Sequence, residues 1–161
     1  MKRLMLAGGV LLLAGLAMGQ TTAPATKPAA PISVDAALSR IPATLQPTEK
    51  ETGARAIARN DWVAANLKGT TVHFKVTVNH VQNNKTTGQA ELTSDYAPVK
   101  WFGVNAKMQI VAAFNKEHLS EIAGVEKGSV VDVAGSVESM NLPAGSVKIW
   151  RIRLSEAFVN P

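Results

Sequence analysis

The pattern of apolar and polar residues changes its period near the middle of this chain, and that change separates helix from strand. Apolar residues recur at helical spacing up to Leu67, and Gly69 ends that stretch. From Thr70 onward apolar and polar residues alternate, which is typical of a strand with one buried face. The inward positions of this first strand are predicted to be Val72, Phe74, Val76 and Val78.

Two helices are predicted in front of the first strand. The nearer helix begins with a capping box, in which Thr48 is the N-cap and Glu51 stands three residues later. Its predicted buried face comprises Ala54, Ile57, Ala58, Trp62 and Ala65. We expect Trp62 to anchor this helix against the rest of the fold, and a ligand-stacking role is the alternative. The farther helix covers VDAALSRI, with Ser33 as its cap and Pro42 as its end.

The segment after the first strand contains a predicted turn, a short strand and a long aromatic stretch. The turn spans residues 82–88 and the return strand spans residues 89–93. Residues 95–107 are predicted to be irregular. Because a loop of this length is uncommon and this one carries Trp101 and Phe102, we interpret it as a functional loop or as a lid.

The C-terminal third reads as strand, helix, strand and strand. A third strand ends at Phe114, a short helix runs from Asn115 to Gly124, and the fourth strand carries Gly135 at an expected bulge. The inward positions of the last three strands are predicted to be Ile110, Ala112, Phe114, Val131, Val133, Val137, Trp150, Ile152, Leu154 and Phe158.

A helix between the third and fourth strands of a small barrel is the arrangement of an OB-fold. The chain is therefore predicted to be mainly β: a five-stranded OB-fold barrel with a short helix between strands 3 and 4 and an N-terminal helical extension. In such a barrel, Phe114, Val133 and Ile152 are expected to be nearly fully buried.

Two segments carry a resemblance to a known family. In NDWVAANLKGTTVHFKVTV a helix runs through residues 66–69 into the first strand, and in KEHLSEIAGVEKGSVVDVAGSV Lys127 and Gly128 turn the chain into strand four. Together they resemble the bacterial tRNA-anticodon-binding-like OB-fold family, over residues 56–159. The resemblance implies an OB-fold in an exported or membrane-associated protein of unknown role. Compared with that family, the chain has a longer segment between the second and third strands.

The N-terminus has the pattern of a secretory signal peptide. Lys2 and Arg3 precede an apolar stretch, and the small residues Ala17 and Gly19 flank a cleavage site before Gln20. Residues 1–19 are thus predicted to be a signal peptide, and an uncleaved N-terminal anchor is the alternative. Residues 20–46 are predicted to be a Pro- and Ala-rich tether with the short helix, and residues 47–161 the helix plus barrel. We expect an exported protein, periplasmic or extracellular, with no stable membrane span after cleavage.

Composition excludes several kinds of chemistry. The chain has no cysteine, which removes disulfides, thiolate metal ligands and a cysteine nucleophile. Its three histidines lack the spacing of a metal site, and no Gly-rich phosphate loop or nucleophile elbow is present. We therefore expect no enzymatic activity, no cofactor and no metal. Removal of the signal peptide lowers the net charge from +5 to +3, which disfavours nucleic acid as a partner.

The candidate binding residues are cations and aromatics on and beside two strands. Lys75 on strand one and Arg151 and Arg153 on strand five take outward positions, with Lys100, Trp101 and Phe102 in the aromatic segment. His73, Lys107 and Lys148 lie nearby in the pattern. OB barrels bind ligands across one face and adjacent loops, where rings stack on bases or sugars and cations contact phosphates. The alternative is that Trp101 and Phe102 plug the barrel mouth and the cations serve solubility.

These residues indicate an exported, non-enzymatic module that binds a small or polymeric ligand or an envelope protein. The alternative is an OB-fold protein that binds single-stranded nucleic acid.

Overall fold

The computed structural model describes residues 30–48, 50–84, 86–143 and 149–160. Within these ranges the chain forms seven strands and three short or medium helices, one of them preceded by a 3-10 turn at Lys116–His118. In chain order the elements are β1 (Ile32–Ser33), α1 (Val34–Leu38), α2 (Gly53–Asn66), β2 (Thr71–Asn84), β3 (Gln89–Ser94), β4 (Ala97–Trp101), β5 (Val104–Phe114), α3 (Leu119–Ile122), β6 (Val130–Asn141) and β7 (Ile149–Val159).

Five of these strands close into a barrel with OB-fold topology. The strand order is β2-β3-β5-β7-β6, and β6 pairs again with β2. All these pairings are antiparallel except β5 with β7, which is parallel. The 3-10 turn and α3 lie between β5 and β6, the third and fourth barrel strands. The predicted fold class is confirmed, and Phe114, Val133 and Ile152 are fully buried as expected.

Two strands lie outside the barrel. β1 pairs in parallel with the start of β2, and β4 pairs with β5 as a hairpin. The prediction of an irregular segment at residues 95–107 is therefore wrong. Phe102 and Gly103 both have positive φ, at 53° and 76°, which is the backbone of a tight two-residue hairpin turn. The sequence signal was weak because Phe is an unusual residue at such a position.

The first hairpin also differs from its prediction. β2 continues to Asn84, so the turn is confined to the residues after it rather than covering residues 82–88. Gln82 pairs with Glu91 and Asn84 pairs with Gln89 across the hairpin. The polar residues at the end of β2 and the start of β3 led to the prediction of a loop, although these residues are paired as antiparallel strands.

Helix α2 begins later than predicted, and the face that it buries is a different one. Its N-cap is Thr52, whose side chain accepts the Arg55 N–H, so Thr48 is not the cap. The buried positions are Ala56, Arg59 and Val63, followed by Leu67 after the helix. In contrast, Ile57 is 63% exposed. The predicted face was wrong because periodicity analysis scores an arginine as a surface residue, whereas Arg59 faces the core.

The N-terminal segment packs as part of the domain. Ser33 caps α1, as predicted, by accepting the Ala36 N–H at 3.1 Å. Val34, Ala37, Leu38 and Ile41 are buried, with at most 1% of each exposed. Within the segment predicted as a tether with a possible short helix, residues 34–41 thus pack against the core, while residues 20–29 and the signal segment lie outside the described residues.

The pairing of β6 with β7, the last two barrel strands along the chain, has two register shifts. The register of β6 against β7 shifts between Ala134 and Ser136, where a Cβ on Gly135 would lie 2.9 Å from the Ser155 carbonyl oxygen. The expected bulge at Gly135 is thus present, because only glycine allows this close approach. The extra residue of this bulge is in β7, where Glu156 has a φ of 50° and Ala157 lies in the core instead of Phe158. A second register shift lies between Val137 and Ser139 of β6.

Candidate ligand-binding surface

The outer face of β4, β5 and β7 brings together three of the seven predicted basic residues. Along β5, Lys107 is exposed, and Gln109 has the same outward parity although its side chain is buried and donates to the Ser94 carbonyl oxygen. Lys100 on β4 lies opposite Asn105, and Arg151 on β7 lies opposite Gln109. Directly opposed residues share a face of a sheet. Lys100, Lys107 and Arg151 therefore share one surface, which we call the cationic face.

The cationic face carries no ion pair among the residues that the structure describes. Lys100, Lys107 and Arg151 are all exposed, and none of them forms a salt bridge there with a described carboxylate. Exposed cations that form no ion pair are available to attract an anionic partner. Lys148, which the sequence also placed nearby, lies outside the described residues.

Arg153 has the predicted outward position but a different electrostatic environment. Its guanidinium contacts Glu91 on β3 at 2.7 Å and Glu138 on β6 at 3.0 Å. Two carboxylates thus offset its single positive charge. Sequence reasoning missed both acids, since they lie 62 and 15 residues from Arg153 and only strand pairing brings them together.

Lys75 lies on another wall of the barrel. It is exposed on β2, opposite Asp132 of β6. Asp132 also contacts Nδ1 of His73 at 3.3 Å, so these two basic residues stand beside an acid. The structure does not bring Lys75 or His73 to the cationic face.

The two aromatic candidates sit at the end of the β4–β5 hairpin. Trp101 is half-buried and stacks on the buried Trp150, with ring centroids 5.2 Å apart and an interplanar angle of 17°. Its indole N–H donates to a carboxylate oxygen of Asp35 in α1. Phe102 is also half-buried and packs against the core from the turn. Trp101 shares its parity on β4 with Ala97 and Val99, and so lies on the opposite face from Lys100.

Two other charged groups have shifted pKa values, and both lie away from the cationic face. Burial alone would raise the pKa of Glu51, but its hydrogen bonds with Arg59 and the arginine's charge lower it. Burial alone would also raise the pKa of Glu121, but hydrogen bonds from His118 and from the Val159 N–H lower it. Sequence reasoning missed the Glu51–Arg59 pair, because charged residues are not expected in a core.

No helix within the described ranges is long and apolar enough to cross a membrane.

Comparisons with known proteins find several similar solved structures, among them the following two. No protein-family model matches the chain, and no curated protein is significantly similar to it. A proposed nucleic-acid-binding lipoprotein from Klebsiella pneumoniae matches 66% of this chain and 82% of its own, with 11% identity and a TM-score of 0.44. The aspartyl tRNA synthetase from Entamoeba histolytica matches 71% of this chain, with 13% identity and a TM-score of 0.36. This chain spans 24% of the synthetase. The OB-fold assignment rests on the chain's own strand pairing.

Proposed function

We propose that the chain is an exported, non-enzymatic OB-fold module that binds an anionic ligand through the cationic face. The ligand is a polymer or an acidic surface of an envelope protein. The observation that carries this proposal is the grouping of Lys100, Lys107 and Arg151 on one outward surface with no described carboxylate paired to them. The signal-like N-terminus supports export. Membership of the tRNA-anticodon-binding-like OB-fold family is part of the same proposal.

The position of the aromatic rings favours a polyanion over single-stranded nucleic acid. Proteins that bind single strands stack bases on aromatic side chains beside the cations. Here Trp101 lies on the opposite face of β4 from Lys100, and its ring stacks on Trp150. Farther along β7, Arg153 is paired with Glu91 and Glu138, and these acids would repel phosphates. The geometry therefore suits electrostatic recognition without base stacking.

A charge-removal experiment tests the cationic face. The triple variant Lys100→Gln, Lys107→Gln, Arg151→Gln is expected to bind heparin, used as a polyanion without bases, about tenfold more weakly or worse. The matched control is Arg40→Gln, Lys68→Gln, Lys127→Gln, which removes the same charges from exposed positions elsewhere. Affinity is measured by calorimetry at low and physiological salt, because such binding weakens steeply with salt.

The outcomes separate the two functions. Equal losses in both triple variants would mean that net charge alone attracts the polyanion, and the cationic face would be rejected. Tighter binding of an oligo-deoxythymidine than of heparin, with quenching of tryptophan fluorescence, would favour the nucleic-acid alternative.

A further inference from the structure

A cleft of about 340 Å³ opens between the first half of β2 and the β3–β4 connection. It is lined on one side by Phe74, Lys75 and Thr77, and on the other by Ser94, Tyr96 and Pro98. The cleft exists because β3 covers only the second half of β2, from Val78 onward, while β4 pairs with β5 instead. Part of the β2 edge therefore has no neighbouring strand in the described structure.

Both ends of this cleft are closed. At the upper end, the Asp95 N–H donates to the Thr77 carbonyl oxygen at 2.8 Å. At the lower end, β1 pairs with β2 up to His73, and α1 then reaches β4 through the contact of Asp35 with Trp101. An extended polymer would need an open groove, so these closures favour a compact occupant.

The backbone of β2 directs polar groups into the cleft. Val78 donates to Ser129 and accepts from Gly128, both at 2.8 Å, on the side of β6. Backbone groups alternate in direction along a strand, so Lys75 and Thr77 point to the opposite side, as the Thr77 carbonyl does. No described residue pairs with the N–H and C=O of Lys75. One residue thus presents an adjacent donor and acceptor to the cleft.

Two aromatic residues border the same space. Phe74 is at an inward position of β2 but is only half-buried, and Tyr96 is 45% exposed. Neither ring is stacked on another among the aromatic residues described. Unpaired rings beside a concave apolar surface with a few polar groups are typical of small-molecule sites.

We infer that this cleft binds a compact planar heterocycle with an adjacent donor and acceptor, such as a free nucleobase or a cyclic amide. The donor and acceptor of the ligand bond to the C=O and N–H of Lys75, and its ring packs against Tyr96 and Phe74. This site lies between β2 and β4, is lined by none of the three cations of the cationic face, and does not depend on the proposed function.

Fragment titration of the full ¹⁵N-labelled chain tests the inference. Adenine and uracil at millimolar concentration are expected to shift the backbone amide signals of Lys75 and Thr77. Tyr96→Ala is expected to weaken this binding about tenfold, because the ring that packs on the ligand is lost. Tyr96→Phe keeps the ring and is expected to retain affinity.

The control variant is Ile57→Ala, which trims another exposed apolar side chain on α2, outside the cleft. It is expected to leave the titration unchanged. Indole, which is planar but lacks the donor–acceptor pair, is expected to bind more weakly than either base. The inference is overturned if neither base shifts the Lys75 and Thr77 signals, or if Tyr96→Ala and Ile57→Ala bind equally well.

Discussion

Single side chains connect the outer elements of this molecule to its barrel, and Trp101 is the clearest case. One side of its ring is stacked on Trp150, which is fully buried, and its N–H reaches Asp35 of α1. The residue thus links the β4–β5 hairpin, the N-terminal helix and the core. A ring held on these contacts is expected to contribute to stability.

Replacing Trp101 with alanine is expected to lower the free energy of unfolding by about 2–4 kcal/mol. Full burial of a Trp side chain would give about 3–5 kcal/mol, and stacking contributes about 0.5–1.5 kcal/mol, but this ring is only half-buried. Denaturant unfolding followed by circular dichroism measures the change. Trp101→Phe keeps a ring against Trp150 and is the control. A loss below about 1 kcal/mol, as for surface positions, would instead agree with a ligand-stacking platform.

At the scale of elements, a buried ion pair joins α2 to the segments around it. Arg59 is fully buried and contacts the two carboxylate oxygens of Glu51 at 2.6 and 2.7 Å. It also donates to the carbonyl oxygens of Leu45 and Leu142, the latter just after β6. Asn60 of the same helix accepts the Leu142 N–H at 3.2 Å. Arg59 therefore satisfies backbone acceptors from two distant segments at once.

Glu51→Gln is expected to destabilise the protein by about 3–5 kcal/mol at neutral pH, because it leaves the buried Arg59 charge without its counter-ion. The pKa of Glu51 is lower in the folded chain than in the unfolded chain. The ionised Glu51 carboxylate therefore stabilises the fold fully above its pKa in the unfolded chain, about 4.3. This stabilisation is lost as the pH falls through its pKa in the folded chain. Chemical unfolding between pH 7 and pH 3 measures both effects.

The matched control for Glu51 is an exposed ion pair. Glu138→Gln removes a carboxylate from Arg153, and both side chains are more than two-fifths exposed. Exposed pairs contribute about 0–1 kcal/mol, so this change is expected to be small and its pH dependence close to that of the parent chain. A Glu51→Gln variant as stable as Glu138→Gln, with the same acid sensitivity, would contradict the role assigned to the buried pair.

At the scale of the whole molecule, the barrel and the N-terminal segment form one packed unit. Val34, Leu38 and Ile41 lie in the same apolar cluster as Val72 and Trp150. β1 also extends the sheet at the start of β2. The barrel alone would expose the surface that this segment covers.

A chain that begins at Pro47 is expected to lose cooperative folding, whereas one that begins at Ala30 is expected to keep it. Burial of three large apolar side chains contributes about 5–9 kcal/mol, which is comparable with the whole stability of a small domain. Thermal unfolding by circular dichroism compares the two chains. Equal melting temperatures would show that the barrel is stable without α1 and β1.

Local patterns in the sequence determined the barrel strands, the helix between the third and fourth of them, and the outward positions of Arg151 and Arg153. Strand periodicity, glycine at Gly135 and the Ser33 cap are effects of neighbouring residues, so the sequence reports them directly. The tertiary structure decided which side chains meet. It paired Arg153 with Glu91 and Glu138, turned α2 so that Arg59 is buried, and folded the aromatic segment into a hairpin that places Trp101 on Trp150. Those contacts join residues far apart in the chain, and their free energy depends on burial and register, which no local pattern contains.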